Sequence, residues 1–382
     1  MKSKSPILRN ICIGSLILFF IILYIPAEFE KRDMEFNYLI YWIIESILIL
    51  AVFVSYGYLN KNGYQFIATI DLEKIPDDFN MVYQDIYKKY NEKIKSARGN
   101  LGNVEIASWT CYALTIICFF GFMVISQHLH YQDVVQAIFV ILAIALFFVA
   151  NTIVVVRRKR LDKFRNYYKS MCIPDILKLI NPNIEYKPVS SDKTKERLIN
   201  VFNECKCYQR SVRKIYAEDS MFLEKNNLSI EFADTKFTAH GKNTVIFDGL
   251  FCNTTLNYYF KKHIRIKTES IESYIDLPTI KLDSDEFEQY FEVQSEDNIY
   301  AVRMLTADIM EEFVKFYKKI QLKFEVNIYK DMLTIKFHTG PMFEPKLLGE
   351  AIDKESLYAY YEIVKFAEDT VMKINKILEE FN

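Results

Sequence analysis

The spacing of apolar residues changes character along this chain. Up to position 156 they come in long blocks, and beyond about 170 they recur at the short periods of packed helices and strands. The blocks are Ile11–Ile25 with its flanks, Tyr38–Leu59, Ile106–Ser126 and Val134–Val156. Crossing a bilayer takes about 20 mostly apolar residues, so four transmembrane helices in two hairpins are predicted. Lys2, Lys4 and Arg9 before the first block suggest a signal peptide. A cut after Ala27, however, would follow "IPA", with Ile25 where a small residue belongs, so the block reads as an uncleaved anchor.

Between the hairpins, Phe79, Val82, Tyr83, Ile86, Tyr87 and Tyr90 fall at helical spacing. This predicts an amphipathic helix over 79–98 that packs on the C-terminal part in preference to lying on lipid. Pro174 opens a short helix, "PDILKLI", and a capped helix from 190 to 216 places Leu198, Val201, Phe202, Cys205 and Val212 on one side. Alternating runs then predict antiparallel strands: "LSIEFA", "KFTAH", "TVIFDGLF", "LNYYF" and "HIRIKT", with "HGKN" as one turn. In "TVIFDGLF" both faces carry apolar side chains, as in a central strand, and Gly249 marks a bulge or a close helix approach. A helix near Thr306, the paired strands "KFEVNIY" and "MLTIKFH", and a helix from about Glu355 to Glu380 complete the chain. The expected fold is therefore a membrane protein with four transmembrane α-helices plus a C-terminal cytosolic α+β domain, its mainly antiparallel sheet flanked by helices. Its segments are 1–59, 60–105, 106–156 and 157–382.

Charge orients the spans. Lys2, Lys4 and Arg9 precede the first; Lys61, Lys74, Lys88, Lys89, Lys93, Lys95 and Arg98 lie between the second and third; "RRKRLDKFR" follows the fourth. The outer loop "QHLHYQD" has no Lys or Arg. Positive loops stay inside, which predicts an inner-membrane protein with both termini and the C-terminal domain in the cytoplasm. A net charge of -1 and a pI near 6.6 argue against a nucleic-acid partner. The seven cysteines have no zinc-type spacing and fit reduced thiols.

Candidate chemistry is sparse. Glu45 lies inside the second span, where a carboxylate is costly unless paired or protonated; helix packing is the favoured role and an ion or proton path the alternative. Arg157, Arg158, Lys159 and Arg160 read as a topology-setting flank able to touch anionic lipid. Cys252 and His263, placed on neighbouring strands, lack an orienting third group for a nucleophile pair. His128 and His130 lack a carboxylate to complete a metal site, and the acids of "KLDSDEFEQYFEVQSED" lack the calcium-loop glycine. Phe287 and Phe291 make that stretch a short amphipathic helix. Phosphate-loop, dinucleotide, nucleophile-elbow and kinase motifs are missing, so neither catalysis nor a cofactor is expected.

The stretches "FRNYYKSMCIPDILKLINPNIEYKP", "AEDSMF", "IFDGLF", "KLDSDEFEQYFEVQSEDNIYAVRMLTADIMEEF", "DMLTIKF" and "MFEP" resemble a bacterial family catalogued as domain of unknown function 3137. Its most specific part runs from Leu282 through Phe287, Phe291, Asp297 and Arg303 to Met310. Gln294 stands where Tyr or Thr is expected, Ala307 where a proline is common, and the hairpin over 11–59 is additional. The family has no assigned activity, so the resemblance implies architecture and location; within it Asp297 and Arg303 read as a structural ion pair. The expected function is a membrane-anchored, non-enzymatic scaffold or interaction protein, contacting lipid and either an unidentified protein or itself. A small transport component using Glu45 is the alternative.

Overall fold

The computed structural model describes residues 75–380, apart from 129–132, 207, 209–210, 240–243, 272–275, 347–349 and 351. The first expected hairpin, Glu45, His130, His240 and the "HGKN" turn lie outside the described residues. The chain divides into two compact units. One comprises 1–63, 93–165 and 346–351; the other comprises 64–92, 166–345 and 352–382.

Among the described residues three long helices come first: α1 (Asp77–Arg98), α2 (Leu101–His128) and α3 (Asp133–Ile180). Where four spans were expected, the described residues contain one stretch long and apolar enough to cross a membrane, Val140–Ile180, with mean hydropathy 2.5 in its most apolar window. Ile106–Cys118, inside the expected third span, is a shorter apolar helix. Ile141, Ile144, Phe147, Phe148 and Val155 are exposed on α3, as lipid-facing side chains would be. Within the first unit Tyr112 donates its hydroxyl to Asn151 Oδ1 at 3.2 Å.

The helix expected to open at Pro174 is instead the end of α3, which runs unbroken through that proline. Proline removes one backbone donor, but Tyr168, Cys172, Ile173, Ile176 and Leu177 are all buried around it, and packing overrides the local cost.

The second unit is built on a seven-stranded antiparallel sheet: β1 (Glu185–Val189), β2 (Val212–Lys225), β3 (Leu228–Ala239), β4 (Val245–Thr268), β5 (Thr279–Ile280), β6 (Phe291–Ser295) and β7 (Phe324–Phe337). Their order is β1-β2-β3-β4-β6-β5, with β7 along the other edge of β4. Its helices are α4 (Asp192–Glu204), α5 (Asp285–Glu288), α6 (Asn298–Met304), α7 (Ala307–Ile320) and α8 (Lys354–Glu379).

Several expected boundaries shift. α4 stops at Glu204 and Val212 starts β2, although Val212 still joins Leu198, Phe202 and Cys205 in one apolar cluster. Asn226 and Asn227, both at positive φ, turn β2 into β3, the two-residue hairpin that suits the twist of the strands. The runs "TVIFDGLF", "LNYYF" and "HIRIKT" are one long strand, β4, which bends where Thr255 to Phe260 face only Met332 to Lys330. Lys330, at φ +58, is a bulge inside β7 and not the turn of a hairpin. Phe287 and Phe291 stack at 4.9 Å, but the helix between them ends at Glu288 and Phe291 opens β6.

α4 covers one sheet face through Phe202, Phe237 and Phe251. On the opposite face Phe316 and Phe366 stack at 3.9 Å, and both touch Phe324 and Phe337. α1 docks in the same unit: Phe79 meets Tyr358 and Tyr361 at 4.9 and 5.5 Å, and Tyr83 donates to the Ile352 carbonyl. The apolar stripe of α1 up to Tyr90 is therefore protein-covered.

Candidate functional site: carboxylates gathered around one buried lysine

The last turns of α3 carry Lys169 into the second unit, where its side chain is 2% exposed. Its ammonium lies 2.5 Å from Asp219 Oδ2, 3.1 Å from Glu344 Oε1 and 3.3 Å from Glu218 Oε1. Asp219 is wholly buried and also accepts the Tyr186 hydroxyl from β1. Asp234, buried on β3, accepts the Met342 N–H at 2.6 Å. Oxygens of Glu218, Asp219 and Asp234 all lie within 4.8 Å of one another.

Local irregularity puts these groups together. A regular strand would send Glu218 and Ser220 to one face and Asp219 to the other, but the β2–β3 register shifts between Glu218 and Met221. Asp219 there adopts φ +52 and turns inward, while Ser220 Oγ meets Ser190 Oγ at 2.5 Å. Phe343, beside Glu344, sits at φ +56. Bulky or charged residues in the left-handed region are strained and persist only where their surroundings impose the conformation.

Electrostatics follow from burial. Desolvation, helped by Glu218 and opposed by Lys169, pushes the Asp219 carboxyl up to about 7. Desolvation and then the Asp219 charge raise Asp234 well above the ordinary range. Burial likewise raises the Tyr186 and Tyr360 phenols, so both stay protonated donors. Three close carboxylates are the right chemistry for a divalent cation. Here the Lys169 ammonium supplies positive charge at contact distance, so the cluster holds its own counter-ion.

A second buried ionic group lies under α4. Glu325 accepts from Arg265 Nε at 2.9 Å and pairs with Lys336 at 2.8 Å and His338 at 3.3 Å. Lys336 first, then His338 and Arg265, hold its carboxyl well below the usual range in spite of burial.

The sequence candidates fall elsewhere. Cys252 and His263 lie on one strand, not two; eleven residues at about 3.3 Å each put them far beyond hydrogen-bonding reach. Burial raises the Cys252 thiol, and the His263 ring bonds Asn327 Oδ1 at 2.6 Å while burial lowers its pKa. Asp297 caps α6 by accepting from the Ile299 and Tyr300 amides, and Arg303 is exposed in the last turn of that helix. Arg158, Lys159 and Arg160 are exposed along α3, with Arg157 half-buried. The sequence reading missed the Lys169 cluster, whose members are spread along the chain from Lys169 to Glu344 with no motif to join them.

Residues 245–376 match the family described as "Protein of unknown function (DUF3137)". No curated protein matches the chain. Among solved structures, the crystal structure of the mycobacterial trehalose monomycolate transport factor A, TtfA, matches at 9% identity and TM-score 0.32, covering 56% of this chain and 93% of that one. A likeness that low carries no argument. The family match contains β4, β6, β7, α6 and α7 and most of α8, so the likeness to the DUF3137 family is carried by residues 245–376.

Proposed function

We propose that this is a multi-pass bacterial inner-membrane protein with four spans and cytoplasmic termini, whose non-enzymatic C-terminal domain binds another protein. The observation that carries the reading is α3. Its early part exposes Ile141, Phe147, Phe148 and Val155, and its last turns bury Lys169 and Ile173 in the sheet domain, so one helix serves as both anchor and domain element. A partner-facing patch is marked by Ile299, Val302 and Tyr259, exposed at 70%, 50% and 65%, with Tyr300 against Phe260 at 5.5 Å. Apolar side chains clustered on a polar surface are the common signature of a contact face.

Crosslinking the full-length protein in native membranes, followed by mass spectrometry, tests this. A stoichiometric partner lost on deleting 166–382, and weakened by Ile299→Asp in a protein with unchanged thermal unfolding, is the expected result. Self-crosslinks alone would contradict the adaptor reading and turn attention to flux through an oligomer with Glu45 intact or replaced.

A further inference from the structure

We propose that the carboxylate cluster around Lys169 is a proton-binding site whose bound proton latches β1 and the 342–345 segment onto the sheet. The geometry requires some such charge compensation. Even with Glu344 set aside, three carboxylates with oxygens within 4.8 Å share one ammonium, and Asp219 and Asp234 are 0% and 4% exposed. Like charges that close and that buried cannot all ionise cheaply, so the site holds a proton.

The groups facing it are known from every element around it. α3 contributes Lys169, β1 Tyr186, and β2 Glu218 and Asp219, with Tyr216 donating to Glu218. β3 contributes Asp234 and the segment after β7 Glu344. α8 contributes Tyr360, which feels Glu344, Asp353, Lys169 and Asp234. Apart from Lys169 these groups are all acids or phenols.

The latch follows from what the bonds join. Tyr186 ties β1 to Asp219, the Met342 amide ties the post-β7 segment to Asp234, and Lys169 bridges β2 to Glu344. Asp219 sits at positive φ, as does Phe343 between the joined Met342 and Glu344. Asp219 has a folded value near 7 against an ordinary 3.8. The stabilisation it gives is therefore complete below about pH 4 and lost as pH rises through 7. Loss of the proton leaves the cluster with more negative charge than the Lys169 ammonium offsets, and repulsion between the carboxylates releases these segments. None of this depends on whether the domain binds a partner.

Hydrogen exchange of the full-length protein in detergent, measured at pH 6 and pH 8 and corrected for intrinsic rates, tests the latch. Peptides over 184–190, 217–222 and 340–345 should lose about tenfold or more protection at pH 8, while α7 is unchanged. Asp219→Asn should remove the difference, because asparagine tolerates a positive φ and still accepts from Tyr186. Should that variant not fold, Asp234→Asn is read the same way. Infrared titration of the wild type should show a protonated carboxyl band disappearing between pH 6 and 8. A wild type without that band, or variants with an unchanged pH response, would overturn the proposal.

Discussion

Gly249 shows how much one position can decide. A Cβ built there would lie 2.0 Å from the Phe337 carbonyl oxygen and 2.7 Å from the Thr339 nitrogen, at a φ of +151. Gly249→Ala must therefore push the β4–β7 ladder apart, and a loss of about 3 kcal/mol or more is expected by thermal unfolding in detergent. Glu325 is the electrostatic counterpart. Glu325→Gln would leave Arg265 and Lys336 buried without their anion and should cost about 3–5 kcal/mol. Because its carboxyl titrates below the ordinary 4.5, the stability it gives is present above that pH and lost on acidification. The variant should accordingly flatten the acid limb of the stability profile, which is opposite in sign to the effect of Asp219. The sequence marked Gly249 as a point of close approach, but by a helix, whereas the backbone that crowds it is the end of β7. It did not mark Asp219 or Asp234: "AEDSMF" reads as an ordinary polar run, and only the register shift beside Asp219 turns its charge inward.

At the scale of elements, periodicity recovered what is regular and missed what bends. The α8 positions Leu357, Tyr361, Val364, Val371, Ile374 and Leu378 are buried as their spacing predicts, as are Phe79, Tyr83, Ile86 and Tyr90 of α1. Bends inside β4 and β7 were read as strand ends, because a bulge and a turn leave the same interruption in the alternation. Val212 was taken into α4 since it is apolar at helical spacing, although it opens a strand that packs on the same cluster. Phe366 joins α8 to α7 and β7 through Phe316, Phe313, Phe324 and Phe337. Phe366→Ala should cost about 3–5 kcal/mol, read as a lowered unfolding midpoint of the helices and sheet together. Phe79→Ala removes the ring contacts with Tyr358 and Tyr361. It should speed proteolysis within α1 while leaving exchange in β4 and β7 unchanged; equal loosening of the strands would show that α1 belongs to the same cooperative unit.

For the whole molecule, the sheet with its flanking helices, the one span-length apolar stretch among the described residues, Val140–Ile180, and the family match over 245–376 form the frame. The proposed orientation rests on the lysine and arginine distribution, and the proposed interaction rests on that orientation, because a cytosolic partner needs a cytosolic face. Protease protection of the C-terminal domain in sealed membranes of known orientation tests this most directly, with a C-terminal tag as the reporter. The account predicts that the 166–382 region survives in right-side-out vesicles and is cut in inside-out ones. Cleavage from the outside of right-side-out vesicles would contradict it.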